Sequence, residues 1–309
     1  MKTDMTKGNP MKIILLFSIP VLMGNLFQQF YNMVDTIIVG QYLGSKALAA
    51  VGSTGCIMFL VLGFANGIAQ GFGVMASHAF GAKKEKLLKH YVALAIILTV
   101  IVSVVLTIPT VLASRQLLIW LNTPDDILVM ADAYIKVIFA GIFCTMSYNV
   151  ASGLLRSIGD SKTPLYFLIF SSVLNIFMDL WMVAGLGLGV FGAAIATLIA
   201  QGISAVFSFL IFFARMKQYK SPFNRFERQE LYSMLRIAVP SVLQQSTVSI
   251  GMMIVQAVVN PFGTQALAGY AATMRVENVF SLIFVSIGNA VSPYVSQNLG
   301  AKKIERIKK

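Results

Sequence analysis

The chain has 309 residues and a formal net charge of +12, with 57% apolar and 12% charged residues. About 25% of the residues in an ordinary soluble protein are charged, and the apolar residues here form stretches long enough to cross a bilayer, so the composition excludes a soluble globular protein. The basic residues form short clusters between these stretches rather than a basic domain, which argues against a nucleic-acid partner. We predict an all-α multi-pass membrane protein embedded in the lipid bilayer.

Residues that bind metals or catalyse reactions form no recognisable motif. Cys56 and Cys144 lie in separate apolar stretches, and His78 and His90 belong to no ligand pattern, so we expect neither a metal site nor a disulfide frame. The apolar stretches contain no HExxH motif and no catalytic Ser/His arrangement. We therefore expect a protein that is not an enzyme and has no cofactor.

Apolar stretches in chain order predict eight membrane-spanning helices. When the connecting segments are assigned to alternate sides of the membrane, nearly all of the 24 Lys and Arg residues fall on one side. Since these residues concentrate on the cytoplasmic side, both termini are predicted to be cytoplasmic. The predicted spans are about 13–39, 47–78, 91–113, 130–155, 164–184, 190–214, 233–259 and 266–298.

A polar stripe runs along the first span. Asn25, Gln28, Asn32 and Asp35 are spaced by three and four residues and therefore share one helix face. A carboxylate in the centre of a membrane helix costs about 2.5–3.5 kcal/mol, so this face requires a protein interior or a water-filled cavity, and Asp35 is predicted to be functional. The amides alone are equally typical of packing between helices. Pro20, ahead of the stripe, predicts a bend.

Spans five and six carry a second polar group. Asn175 and Asp179 are one helix turn apart, and Thr197 follows the short connector 185–189. Counting residues along the spans places Asp179 and Thr197 at the depth of Asp35, in the outer half of the membrane. Two carboxylates in a low dielectric oppose each other's ionisation, so one of them is suited to exchange a proton. The same oxygens also suit Na⁺. The alternative is that Asp179 only stabilises a helix interface.

Further polar residues inside the spans are candidates for lining a cavity or for hydrogen bonding between helices. Arg275 and Glu277 are two positions apart, so they point to different sides of span eight and cannot pair with each other. The other candidates are Asn66, Gln70, Asn149 and Gln245.

An internal repeat relates the first two spans to the last two. The segment from Gly44 (Gly-Ser-Lys-Ala-Leu-Ala-Ala) recurs from Gly263 (Gly-Thr-Gln-Ala-Leu-Ala-Gly), and the Gly-Ala-Lys-Lys at Gly81 recurs at Gly300. An even number of spans separates the copies, so the repeat is parallel and predicts two lobes around an axis along the membrane normal.

The repeat predicts three domains. Residues 1–214 form a first lobe of six helices, 215–232 a cytoplasmic linker, and 233–309 a partial second lobe of two helices. A full second copy would need four more spans, so we expect a chain truncated at its C-terminal end.

Three segments resemble multidrug and toxic compound extrusion (MATE) transporters: the loop 152–164 (Ser-Gly-Leu-Leu-Arg-Ser-Ile-Gly-Asp-Ser-Lys-Thr-Pro), the segment 34–40 and the doubled Gly-Ala-Lys-Lys. The resemblance covers nearly the whole chain. It implies two six-helix lobes in a V around a central cavity. It also implies a monomer, when full length, in the bacterial plasma membrane that exports small organic, often cationic, drugs in exchange for H⁺ or Na⁺.

The resemblance is to the DinF-like prokaryotic branch, which carries a first-lobe cation site. Its pattern is an Asp in span one, an Asn and an Asp four residues apart in span five, and a Thr in span six. The matching residues are Asp35, Asn175, Asp179 and Thr197. Pro20 matches the proline where span one bends, and Asn149 matches a cavity asparagine of that branch.

Two other functions remain open. A lipid or polysaccharide flippase of the same superfamily would need a strongly cationic cavity, whereas the first-lobe spans are predicted to hold acids and no buried Lys or Arg. A non-transporting membrane scaffold would keep its function when the acids are neutralised.

Overall fold

The computed structural model describes residues 4–217, 227–259 and 264–308, apart from the side chains of residues 56, 253, 256, 257, 264–272, 275 and 276. Within these ranges the chain is helical and has no strand. The helices are α1 (Pro10–Ser53), α2 (Gly55–Gly81), α3 (Glu85–Trp120), α4 (Asp125–Ala140), α5 (Ile142–Ser157), α6 (Lys162–Asp179), α7 (Gly189–Met216), α8 (Arg228–Val259), α9 (Thr264–Gly300) and α10 (Ile304–Ile307).

The predicted multi-pass α-helical class is confirmed. Over the described residues, six helices are long and apolar enough to cross a membrane, and a seventh span results if α4 and α5, which meet at a 46° bend, are counted together. The predicted seventh span corresponds to α8, which lies outside that count although it has 32 residues. Half of the predicted linker 215–232, residues 218–226, lies outside the described residues.

Helix α1 begins at a proline and continues through a second one. The side-chain oxygen of Asn9 accepts a hydrogen bond from the Lys12 amide at 3.3 Å, which caps the first turn. The backbone of α1 stays helical through Pro20 and leaves helical geometry only at Gly44, where φ is 82°. Glycine tolerates this conformation, so α1 breaks at Gly44 and the span ends there rather than at residue 39.

Packing places α2 at the centre of the molecule, against α3, α5, α8 and α9, while α1 packs on α4, α6, α7 and α9. The largest apolar core lies mainly between α2, α3, α4 and α5. Two helix pairs, α1 with α9 and α2 with α8, join the copies of the sequence repeat. Exchanging the copies converts one pair into the other, as a two-fold rotation would.

The repeat is also visible in the backbone of two helix ends. After α2, Lys83 has φ 55° and the Lys84 amide donates to the Ala79 carbonyl at 3.1 Å; after α9, Lys302 has φ 59° and Lys303 donates to Asn298 at 2.8 Å. Both ends close with the same six-residue hydrogen-bonded turn. The sequence repeat therefore encodes a repeated local structure.

The segment 4–8 straps the beginning of the chain to the end of α9. Asn298 donates to the Met5 carbonyl at 3.0 Å, and the Lys303 ammonium donates to the Thr6 carbonyl at 2.8 Å. The Met5 side chain is fully buried. This strap joins the two copies of the repeat at one end of the helices.

Candidate cation and substrate site

A cavity of about 450 Å³ lies between the helices and is lined mainly by polar side chains. It contains every predicted amide of the first span together with one of the two predicted carboxyl groups. The predicted residues on its wall are Pro20, Asn25, Gln28, Asn32, Asp35, Asn66, Gln70, Asn149, Thr197 and Gln245.

One member of a pair of carboxyl groups from distant parts of the chain lines this cavity. Asp35 on α1 and Asp179 at the end of α6 have side chains within hydrogen-bonding reach of each other. Asp179 is fully buried, whereas Asp35 is partly exposed. One oxygen of each carboxyl group, Oδ1, is buried and has no hydrogen-bond partner among the described residues. Since ionised carboxylates only accept hydrogen bonds, this contact requires a proton or another cation.

Asn175 and Thr197 complete the group. With its amide oriented so that both ends are satisfied, Asn175 donates to Asp179 Oδ2 at 3.3 Å and accepts from the Thr197 amide at 3.2 Å. The Thr197 hydroxyl donates to the Ala193 carbonyl at 3.2 Å, which leaves its lone pairs available. The structure thus brings the four residues of the predicted cation site together.

The backbone widens directly after Asp179. Residues Leu180–Gly185 form a π-helical turn, in which the Leu186 amide donates to the Trp181 carbonyl at 2.9 Å. Such turns occur frequently at functional sites. Nothing in the hydropathy pattern predicts this turn, because all of its residues are typical of an ordinary membrane helix.

Several cavity residues were missed by the sequence reasoning. The Tyr31 side chain lies beside those of Gln28 and Gln201 and, like Tyr134, lies close to both carboxyl groups. Gln201 also accepts from the Thr145 hydroxyl at 2.6 Å. A usable signal existed, since Tyr31 precedes Asp35 by one helix turn and Gln201 follows Thr197 by one turn.

The expectation that the first-lobe spans hold no buried Lys or Arg is wrong. Arg156, which was assigned to the cytoplasmic connections, is partly buried and lies on the cavity wall. It belongs to α5, which continues to Ser157. Asn149, Ser152 and Arg156 are spaced by three and four residues and therefore share the helix face that lines the cavity.

The remaining candidates are placed differently. Glu277 is exposed on α9 and does not line the cavity, and the side chain of Arg275 lies outside the described residues. Asn25 donates to the Ser286 hydroxyl of α9 at 2.9 Å, so it holds two helices together as well as lining the cavity. Over the described part of the chain no cluster of His, Cys, Asp and Glu can hold a metal through three such side chains.

Comparisons with known proteins agree on one family. The MatE family model matches residues 20–181 and 240–309. The chain is 30% identical over 305 residues to the "Probable multidrug resistance protein YpnP" of Bacillus subtilis (strain 168), covering 98% of this chain and 68% of that protein.

Solved structures agree. A MATE crystal structure in the bent conformation superposes with a TM-score of 0.90 at 27% identity, over 98% of this chain and 68% of the other. A MOP superfamily transporter from Pyrococcus furiosus, whose binding pocket is described as having reverse polarity, superposes with a TM-score of 0.89 at 27% identity, over 100% of this chain and 70% of the other.

This chain thus spans about two thirds of the length of these relatives. Both the family match and the structural likeness extend into the last helices, where the repeat begins again. The chain belongs to the MatE family, and it is a multi-pass membrane transporter rather than an enzyme.

Proposed function

We propose that the protein is a multidrug efflux transporter that exports organic, often cationic, compounds in exchange for H⁺ or Na⁺. The observation that carries the proposal is the contact between the carboxyl group of Asp35, which lines the cavity, and that of the buried Asp179. The name of the Bacillus subtilis relative, a probable multidrug resistance protein, supports the class of substrate.

The coupling step follows from where the two carboxyl groups are attached. A cation bound between Asp35 and Asp179 neutralises their repulsion and pulls α1 towards α6. Asn25, Gln28 and Asn32 lie on the same helix and line the same cavity, so this movement changes the substrate-binding wall. Pro20 donates no hydrogen bond to the preceding turn, which makes it the weak point at which α1 bends.

The direction of transport follows from the membrane potential. With both termini in the cytoplasm of a bacterial plasma membrane, as the distribution of Lys and Arg predicts, a cation entering from outside gains about 2.3 kcal/mol per 100 mV. Binding of that cation releases the substrate outward, and a monomer contains all four residues of the site. The partners that this function requires are the substrate and the lipid bilayer.

Neutralising either acid tests the proposal. Asp35→Asn and Asp179→Asn are each expected to abolish cation-driven efflux in intact cells without lowering the amount of protein in the membrane, because one carboxyl group alone no longer requires a shared cation. The control is Asp125→Asn, at an acid in the first turn of α4 outside the cavity. Undiminished efflux by both variants would refute the coupling role of this carboxyl pair and move the ion site elsewhere.

A flippase is the second candidate. The charge of the cavity wall argues against a flippase. Asp35 and Arg156 are its only charged residues over the described wall. A single guanidinium balanced by a carboxylate does not give the strongly cationic cavity that a lipid-linked pyrophosphate or polysaccharide would need.

A further inference from the structure

We infer that Arg156 forms an anion-binding subsite of the transport cavity, which holds a carboxylate or phosphate group of the substrate. This inference rests on the proposed transport function and narrows its substrates to organic compounds that carry such a group, zwitterions included. It adds to the cation-coupling site a second charged site in the same cavity.

Arg156 has no counter-ion among the described residues. Within the described part of the chain its guanidinium makes no ion pair and no hydrogen bond, and the electrostatic neighbour it has is the hydroxyl of Tyr148. Arginine stays protonated even where it is buried, and a desolvated charge without a partner is costly. An anionic group of a bound molecule would remove that cost.

The nearest acid in the sequence is already occupied. Asp160, four positions after Arg156, is 1% exposed and forms an ion pair with Arg215. Its carboxylate also accepts from the Thr163 hydroxyl at 2.6 Å and from the Thr163 amide at 3.1 Å. Asp160 is therefore fully engaged by α6 and α7, and Arg156 is left facing the cavity.

The surroundings of Arg156 suit an oxyanion. Ser152 is one helix turn and Tyr148 two turns before Arg156 on the same wall. The side chains of Tyr148 and Ser152 adjoin each other, and the Tyr148 hydroxyl lies near the guanidinium. Planar, bidentate donation from arginine combined with hydroxyl groups is a common way to bind carboxylates and phosphates.

Arg156 and Asp35 lie at opposite ends of the cavity. Arg156 is one residue from the end of α5, at the side of the membrane where α1 starts. Asp35 lies far along α1, about 37 Å from residue 10 at about 1.5 Å per residue. A molecule in the cavity therefore meets a positive group at one end and the cation-binding carboxyl pair at the other.

A matched pair of dyes tests the subsite. Rhodamine 123 is the methyl ester of rhodamine 110, so the two differ in one free carboxylate. Their dissociation constants are measured by fluorescence anisotropy on the purified 309-residue chain in nanodiscs, without an ion gradient. The variants are Arg156→Gln, Arg156→Lys and, as a control outside the cavity, Arg115→Gln.

Arg156→Gln is expected to raise the dissociation constant of rhodamine 110 about tenfold, the lower end for loss of a hydrogen bond to a charged group. It should change the dissociation constant of rhodamine 123 by less than about twofold. Arg156→Lys should recover part of the loss, and Arg115→Gln should behave like the unmodified protein. If Arg156→Gln weakens the binding of both dyes equally, Arg156 has a structural role. If it changes the binding of neither dye, a lipid phosphate or nothing occupies Arg156. Either outcome overturns the inference.

The outcome is independent of cation coupling. Loss of efflux in Asp35→Asn with a constant dye ratio in Arg156→Gln would refute the subsite and keep the antiporter. Undiminished efflux in Asp35→Asn with a changed dye ratio in Arg156→Gln would refute the antiporter and keep the subsite.

Discussion

Gly81 and Gly300 make reciprocal contacts at the ends of α2 and α9. A Cβ on Gly81 would lie 2.0 Å from the Gln297 carbonyl oxygen, and one on Gly300 would lie 2.1 Å from the His78 carbonyl oxygen. The two glycines occupy the same position in the repeat, as do His78 and Gln297. Each copy therefore uses its glycine to approach the backbone of the other.

Replacing either glycine by alanine should loosen this contact. Because backbone atoms cannot rotate away, Gly81→Ala and Gly300→Ala are each expected to lower the free energy of unfolding by about 1–3 kcal/mol, measured by denaturation in detergent. Gly288→Ala in α9 is the matched control, since nothing lies within 4 Å of its Cβ position. Equal stability of all three variants would contradict this packing.

The Asp160–Arg215 pair should be a second point of stability. Asp160→Asn leaves the Arg215 guanidinium without its buried partner and is expected to cost about 3 kcal/mol, at the lower end for a broken buried pair because Arg215 is 27% exposed. Thermal unfolding of the purified variant measures this loss. Asp126→Asn removes a surface pair with Lys46 at 3.4 Å and should cost less than about 1 kcal/mol.

Thr197 should adjust the affinity of the site for the cation, and the site should still form without its hydroxyl. Thr197→Val removes one neutral oxygen and is expected to raise the external cation concentration needed for half-maximal efflux by about two- to tenfold, while Thr197→Ser restores it. The measurement is efflux rate against external Na⁺ and, separately, against external pH; the cation whose curve shifts is the coupling ion. Thr99→Val, whose hydroxyl bonds its own helix at Ala95, should shift neither curve.

The predicted orientation can be read by chemical labelling. In a chain whose native cysteines are replaced, Lys86→Cys should be shielded from a membrane-impermeant thiol reagent outside intact cells, because it lies in the basic first turn of α3 at the predicted cytoplasmic side. Leu186→Cys, in the connection after α6, should be labelled. Labelling at Lys86 without permeabilisation would reverse the orientation.

Asp4 makes the strap of residues 4–8 sensitive to acid. Partial burial raises the pKa of Asp4, but hydrogen bonds from Thr6 and the nearby Lys7 and Lys303 outweigh it and hold the pKa below the usual 3.8. A lowered pKa contributes stability above the unfolded value that is lost as pH falls through the folded one. Hydrogen exchange of residues 4–8 should therefore accelerate below about pH 4, and Asp4→Asn should remove this pH dependence.

Helix periodicity predicted the polar part of the cavity wall that α1 forms. The spacing of Asn25, Gln28, Asn32 and Asp35 puts them on one face of α1, and that face lines the cavity. The contact between Asp35 and Asp179 depends on how α1 packs against α6. Residue spacing within each helix does not predict this packing. Counting depth along each span indicated it, and the family resemblance named it.

Other parts of the site lay beyond sequence reasoning for a different reason. Arg156 falls one residue beyond the predicted span 130–155, but α5 continues to Ser157 and the cavity extends to that end, so Arg156 lies on the cavity wall. Tyr31 and Gln201 are residue types that pack between many membrane helices. Only the fold shows that their side chains meet beside the carboxyl pair.

The strap of residues 4–8 has a consequence for biogenesis. Its partners on α9 and after it, Asn298 and Lys303, lie 293 and 297 positions further along the chain. At about 5–20 residues per second of synthesis, this segment waits at least about 15 seconds before its partners exist. A segment made early in translation is thus among the last to settle, and it can do so only after the first copy of the repeat has met the second.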